Sequence, residues 1–416
     1  MRARPSRGEL EVGTAAFAPA GRPGIVGGVI GFPSRYVNLG AARLRFGDRV
    51  DRLGKFLTEI DGPADLVVEA IEALPKGEGW RLLEEGLSGG SRAIPTAPRE
   101  MRDLLDAATE VPAWVDWATC DRGGEMLMRT GVLGGAVLGS HSLVLGYASP
   151  AGNKPLVLSG RLTQQAMRRL NETARFVQAV CRPGGMRPFA DGWKITLKVR
   201  LIHAQVRRMI LKTGRWDAAA WGAPVNQHDM AGTTLLFSIA MMDGLRKLGV
   251  RIDSDEGERY IHLWRYVGHV IGVDAQLLPT SEPDATRLAD LIAATMGPPD
   301  QDSRDLTKAL FDAAWDGAVT PKQKRDAARR VLFGTTLCRE LVGDELADGL
   351  DVPRNSVRFA MPMVRRLVGG VERFTRAVPF AERGAIAAGS HYWDRVVEIG
   401  LQGATYEFAL PSRLAA

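Results

Sequence analysis

The sequence predicts a mainly α-helical protein, and three observations carry that reading. Apolar residues recur three or four apart through much of the chain, the period of a helix that buries one face. Leu, Ala, Met and Arg abound while aromatics make up only 7% of the residues. No strand-rich block, internal repeat or low-complexity tract interrupts the pattern. With 416 residues, 45% of them hydrophobic and 25% charged, the chain can bury a substantial core.

Residues 1–40 are rich in Gly, Pro and Ala and read as an irregular N-terminal arm, leaving residues 41–416 as a single all-helical domain. Beyond Gly40, the apolar series Phe46, Val50, Leu53, Leu57 and Ile60 predicts one amphipathic helix, with Gly47 and Gly54 as its weak points. Breaks near Gly62–Pro63 and Pro75–Gly79 separate further helices. A loop over Gly86–Pro98 leads to a helix at Glu100–Thr109 and a turn at Val111–Pro112. Helices follow at Asp116–Arg129 and Gly131–Tyr147. Downstream come an apolar run at Leu235–Met242, a long helix at Tyr260–Gly272, and helical stretches at Ala309–Trp315 and Lys322–Phe333. The end of the chain, after Asp351, is punctuated by Pro and Gly.

The stretch Arg161–Gly214 reads as two helices joined by a Gly/Pro-rich loop. On the first, Arg169, Glu172 and Thr173 share a face, because positions i, i+3 and i+4 do. The second carries His203 on a mostly apolar stripe with Thr196, Val199, Val206 and Ile210, flanked by Arg200 and Arg207. A lone helical histidine is more often a satisfied core residue than a ligand. In this setting it also suits a haem, which presents an apolar ring, two carboxylates and an iron that takes an axial imidazole.

Charge and cysteine usage exclude several classes. The net charge of +6 is spread along the helices and not clustered with aromatics, so nucleic-acid binding is not indicated. Cys120, Cys181 and Cys338 lie far apart with no CxxC pairing, which implies neither structural zinc nor a disulfide framework. No G-x-G-x-x-G after a strand, G-x-S-x-G or H-E-x-x-H occurs, so dinucleotide binding, serine hydrolysis and zincin chemistry lack support. The N-terminus has arginines but no secretory apolar region, and with Met1 in place a cytoplasmic location is expected. No stretch offers 18 uncharged apolar residues; Gly131–Tyr147 comes nearest and is broken by Ser140, His141 and Ser142. An apolar substrate would nevertheless favour peripheral contact with a membrane. Nothing in the sequence sets the oligomeric state.

Several stretches resemble one known group, in its order and spacing over roughly residues 100–290. They are PAWVDW (Pro112–Trp117), SLVLGY (Ser142–Tyr147), SGRL (Ser159–Leu162), RRLNET (Arg168–Thr173), VRLIHAQVR (Val199–Arg207), WGAPVNQHDMAGT (Trp221–Thr233) and YIHLWRYVGHVIGV (Tyr260–Val273). The group is the latex-clearing protein and MpaB-type oxygenase family of b-type haem proteins. The resemblance implies a globin-like helical core with extra N- and C-terminal helices. It further implies haem b bound through His203 as proximal iron ligand, with the carbonyl of Val199 the natural partner for the other ring nitrogen.

Dioxygen would be the co-substrate, an apolar unsaturated isoprenoid-like molecule the substrate, and oxidative cleavage of its double bond the reaction. Arg169 and Thr173 match distal residues that touch bound oxygen or cofactor, and Arg200 and Arg207 would meet the haem carboxylates. Glu172 departs from the family: characterised latex-clearing proteins carry a lysine there that can serve as sixth iron ligand. A carboxylate could instead act as a base for an allylic proton, a role burial would tune by raising its pKa, or pair with Arg169. Asn153 falls near an acidic position of the family. At Asn153 this implies that the base has moved or the reaction differs; the Glu172 change speaks against polyisoprene itself, and a smaller terpenoid or natural-product intermediate better fits an enzyme expected to stay in the cytoplasm. The alternatives are haem-dependent hydroxylation, epoxidation or peroxygenation of a small metabolite, and a non-enzymatic haem-based gas sensor or carrier. The loop Asn226–Asp229 is expected to brace the pocket, and His262 with His269, seven apart, to be structural.

Overall fold

The computed structural model describes residues 31–158 and 166–401, together with a minimal antiparallel pair of two-residue strands, Ile25–Val26 and Val29–Ile30. Most of the expected arm and the Ser159–Leu162 motif lie outside the described residues. The protein is mainly α-helical, as the periodicity predicts.

One helix, Trp117–Thr130, is the hub. Asp116 starts it by accepting from the Thr119 amide at 2.6 Å, and Gly131, at φ 45°, ends it. It packs against Ala166–Cys181, Ser254–Val270 and Pro379–Leu401. Two adjacent glycines make these approaches close. A Cβ on Gly123 would stand 2.3 Å from the Arg259 carbonyl oxygen, and one on Gly124 would stand 2.1 Å from that of Cys181. At the end of the helix the buried Arg129 pairs with Glu256 at 3.0 Å and with Glu372, and Arg376 meets Glu256 at 2.7 Å. These pairs tie the hub to the helices Ser254–Val270 and Met361–Ala377.

The segment after Gly40 corrects the expected single helix. It forms two, Leu39–Phe46 and Arg49–Lys55, because Gly47 takes φ 64° and turns the chain. Val50, Leu53 and Leu57 still point inward, with Tyr36, Met230 and Leu277, into a second apolar cluster that meets the main core through Ile271, Leu288 and Ile292. Gly131–Tyr147 is helical as expected, with one wide π turn at Leu138–Ser142. The loop read at Gly86–Pro98 starts late, since Glu78–Gly89 is helical. Past the Pro/Gly punctuation after Asp351, Met361–Ala377 and Pro379–Leu401 are long helices, the expected C-terminal additions.

Replacing Gly124 tests the hub. Gly124→Val should lose about 2–3 kcal/mol in urea unfolding, because the carbonyl it meets is backbone and cannot rotate away. Gly370→Ala, in a helix with open space around it, should be neutral or gain up to about 1 kcal/mol. Equal behaviour of the two variants would refute the close-packed hub.

Candidate functional site

The helices Ala166–Cys181 and Asp191–Lys212 face one another across a cavity of about 300 Å3. The first brings Arg169, Glu172, Thr173 and Phe176 to its wall, the spacing expected for one helix face. The second brings Val199, Ile202, His203 and Val206. Tyr147, Asp229, Phe237 and Trp264 complete the polar and aromatic lining.

His203 fronts the cavity and is enclosed everywhere else. Burial, reinforced by the charges of Arg207 and Arg169, pulls its pKa down to about 4, so the imidazole is neutral at pH 7. Its Nδ1 is buried without a hydrogen-bond partner. The expected bond to the Val199 carbonyl is therefore not made.

Arg200 and Arg207 depart from the expected cofactor-binding set. Neither lines the cavity. Arg200 grips Asp61 in a fork, Nε to Oδ2 at 2.6 Å and Nη2 to Oδ1 at 2.9 Å. Arg207, fully buried, pairs with Asp65 and donates to the carbonyls of Pro224 at 3.1 Å and Val225 at 3.0 Å. Helix spacing places both guanidinia beside the histidine, but carboxylates far back in the chain claim them.

Glu172 pairs with the exposed Arg168 at 3.0 Å and not with Arg169. Among the described residues Arg169 makes no ion pair. Its charge opposes the rise that burial imposes on the Tyr147 hydroxyl and helps hold His203 neutral. The Thr173 hydroxyl donates to the Arg169 carbonyl at 2.9 Å, so its one hydrogen is committed and its oxygen can only accept. Asn153 sits outside the cavity wall, fully buried, donating to the Tyr147 carbonyl at 3.0 Å and to Ser303 at 3.1 Å.

The loop before Gln227–Phe237 is a brace. Asn226 caps that helix at the Asp229 amide, and Gln227 bridges the Gly272 carbonyl and the Asp274 amide. Ala223, Gln227 and His228 donate backbone N–H groups to Leu57, Glu59 and Phe56. Asp229 then reaches the cavity with Arg35 bound to both carboxylate oxygens at 2.7 Å. Burial opposes ionisation of Asp229, but Arg35 and His228 outweigh it and hold the carboxyl well below its usual range. Sequence reading missed Arg35, because nothing local links it to a partner 194 residues away. A second cavity, of about 200 Å3, is lined by both members of this pair and shares Gly146, Gly152, Asp229, Thr233 and Leu236 with the first.

Other candidates are structural. His262 Nε2 accepts the Asp116 amide at 3.1 Å, and His269 stacks on Tyr266. All three cysteines are buried away from the cavity, and burial pushes Cys120 and Cys338 up to about 12. Trp264, read as core, is buried and also contributes to the cavity wall.

Fold and cavity together define a helical protein that can enclose an apolar ligand against one neutral imidazole. The family described as the catalytic domain of ER-bound oxygenase mpaB/B′ and rubber oxygenase matches residues 122–378, more than half of the chain. The chain belongs to that oxygenase family. It is 24% identical to the rubber oxygenase of Streptomyces sp. (strain K30) over 305 residues, 72% of this chain and 69% of the relative. A solved structure of a latex clearing protein in the closed state superposes with a TM-score of 0.66 at 19% identity, covering 86% of this chain and 95% of that one. That likeness supports the helical fold.

Two outcomes follow for protein freed of bound ligand. The folded His203 titrates near 4 and the unfolded chain near 6.5. Between those values only the unfolded state takes up the proton, so stability is full above pH 6.5 and falls by up to about 3 kcal/mol toward pH 4. The difference in stability between wild type and His203→Leu should show that slope in urea titrations; a difference flat with pH would refute the buried neutral imidazole. Separately, Arg35→Leu should cost about 3–5 kcal/mol by stranding Asp229, and adding Asp229→Asn should restore a large part. A loss under about 1 kcal/mol, the range of an exposed pair, would refute the Arg35 constraint.

Proposed function

We propose that this protein is a haem b-dependent oxygenase that cleaves a carbon–carbon double bond of an apolar, isoprenoid-like substrate with dioxygen. The observation that carries the reading is the neutral His203 imidazole fronting an apolar cavity opposite Arg169, Glu172 and Thr173.

The residues fit the group. An iron ligand must be an unprotonated imidazole, and the depressed pKa of His203 supplies one. The unpartnered Nδ1 leaves the ring without a hydrogen bond that would hold it elsewhere. Arg169, a cavity-facing cation without a carboxylate partner among the described residues, suits a haem carboxylate or an electron-rich oxygen. Haem held by His203 would supply the site of dioxygen activation, chemistry that no side chain here provides.

The chain's own groups set up the rest. Leu143, Leu156, Phe176, Ile202, Val206 and Phe237 give an apolar wall for a hydrocarbon and keep water scarce. Glu172 uses Oε1 on Arg168, which leaves Oε2 as the acceptor for an allylic proton. Thr173, its hydrogen spent on the Arg169 carbonyl, can accept a hydrogen bond but not donate one. Cleavage of one alkene by one dioxygen into two carbonyls balances without an external reductant, whereas hydroxylation or epoxidation needs two further electrons. The name of the Streptomyces relative supports a polyisoprene-like substrate. The carboxylate of Glu172, in place of the lysine that the family resemblance leads one to expect, favours a shorter isoprenoid.

Haem-reconstituted wild type should give a Soret band that His203→Ala loses or shifts. Incubated with squalene or with polyisoprene latex, the wild type should consume oxygen without added reductant, and 18O2 should label both carbonyl products. Glu172→Gln should lower turnover at least about tenfold with the Soret band unchanged. An unaltered band in His203→Ala, or oxygen bound reversibly with no product from either olefin, would overturn the reading.

A further inference from the structure

The helix Met361–Ala377 has two unlike sides. Met361, Glu372 and Thr375 are buried, whereas Met363, Leu367, Val371 and Phe374 are 59, 62, 64 and 63% exposed. On a helix of 3.6 residues per turn these four fall within an arc of about 80°. Phe359, in the short turn before this helix, and Phe380, at the start of the next one, are even more exposed. Four large apolar side chains on one helix face, with two more exposed phenylalanines close by in the chain, mark a contact that excludes water.

The charges around the stripe have one sign. Arg358, Arg365, Arg366, Arg373, Arg376 and Arg383 face only two carboxylates of the same segment, and one of these, Glu372, is buried on Arg129. Arg358, Arg365 and Arg376 are engaged by Asp344, Glu340 and Glu256. Among the described residues, the exposed Arg366, Arg373 and Arg383 make no ion pair, and the first two lie along one edge of the stripe.

We propose that this face docks on an anionic phospholipid surface, its Phe, Leu, Val and Met side chains entering the headgroup boundary and Arg366, Arg373 and Arg383 meeting lipid phosphates. An apolar strip bordered by arginine is the pattern of a helix lying in a membrane interface. No helix among the described residues is long and apolar enough to cross a membrane, so docking of this kind is in-plane. A second copy of the chain is the poorer occupant. A two-fold contact through this stripe would bring arginine toward arginine with no exposed carboxylate on the helix to answer it.

The test is sedimentation of the intact protein with phosphatidylcholine vesicles, with and without phosphatidylglycerol. Wild type should bind the anionic vesicles at least about tenfold more tightly, and the preference should shrink at high salt. Leu367→Ser/Phe374→Ser and Arg366→Glu/Arg373→Glu should each weaken binding at least about tenfold, with unchanged circular dichroism, as all four side chains are exposed. The proposal is overturned if wild type ignores anionic vesicles or binds neutral ones equally, or if either double variant binds as wild type. It is overturned equally if wild type is a dimer that Leu367→Ser/Phe374→Ser splits.

Discussion

The position of the imidazole depends on two guanidinium–carboxylate contacts that straddle it on its helix. Arg200, three residues before His203, is forked onto Asp61, and Arg207, four residues after, is buried on Asp65. Both acids belong to one short region, since Asp61 caps the helix Gly62–Glu72 and Asp65 lies in its first turn. The helix of His203 is thus pinned above and below the ring against a single neighbour, which fixes its rotation as well as its height. Such pairs add little net stability, because each charge gives up its hydration; burial pushes the Asp65 carboxyl up despite Arg207 beside it. What they provide is geometry, since any slide or turn of the helix would leave a buried charge alone. Gly272 belongs to the same constraint: at φ 90° its backbone passes so close that a Cβ would stand 2.3 Å from Asp61 Oδ2 and 2.6 Å from Arg200 Nε.

The electrostatics of the cavity follow from which charges are answered. Asp229 is neutralised by Arg35 and Glu172 by Arg168, while Arg169 makes no ion pair among the described residues. The wall therefore presents two satisfied acids and one open cation, beside a histidine kept uncharged. Arg169 is half-buried, and its charge leaves this part of a mostly apolar wall locally positive. The same positive charge lowers the pKa of His203. Arg169 thus acts on the imidazole from the helix that faces it.

The sequence disclosed local relations well and distant ones poorly. Arg169, Glu172 and Thr173 share a face because helix spacing requires it, and they meet His203 because a short loop folds the two helices together. Arg200 and Arg207 were legible as neighbours of the histidine, but Asp61 and Asp65, 139 and 142 residues earlier, leave no trace in local pattern. Arg35 went unseen for the same reason. The prolines that punctuate the end of the chain do not break its helices: Pro362 and Pro379 each sit in the first turn, where the missing N–H costs nothing. Gly47 did mislead, being counted as a tolerated weakness when its positive φ ends a helix.

The brace loop shows why so much polar structure surrounds an apolar cavity. Val225, which lines it, holds φ at 51°, a left-handed conformation that a β-branched side chain adopts only under strain of order 1–3 kcal/mol. Arg207 donates to its carbonyl and to that of Pro224, and the next residue, Asn226, caps the following helix. The guanidinium that fixes the helix of His203 is therefore the one that holds a strained residue of the cavity lining. Relaxation of Val225 would break those bonds and leave Arg207 with one partner in place of three. One buried side chain thus ties the helix of His203 to the loop that carries Val225, so the cavity lining from these two elements is set together.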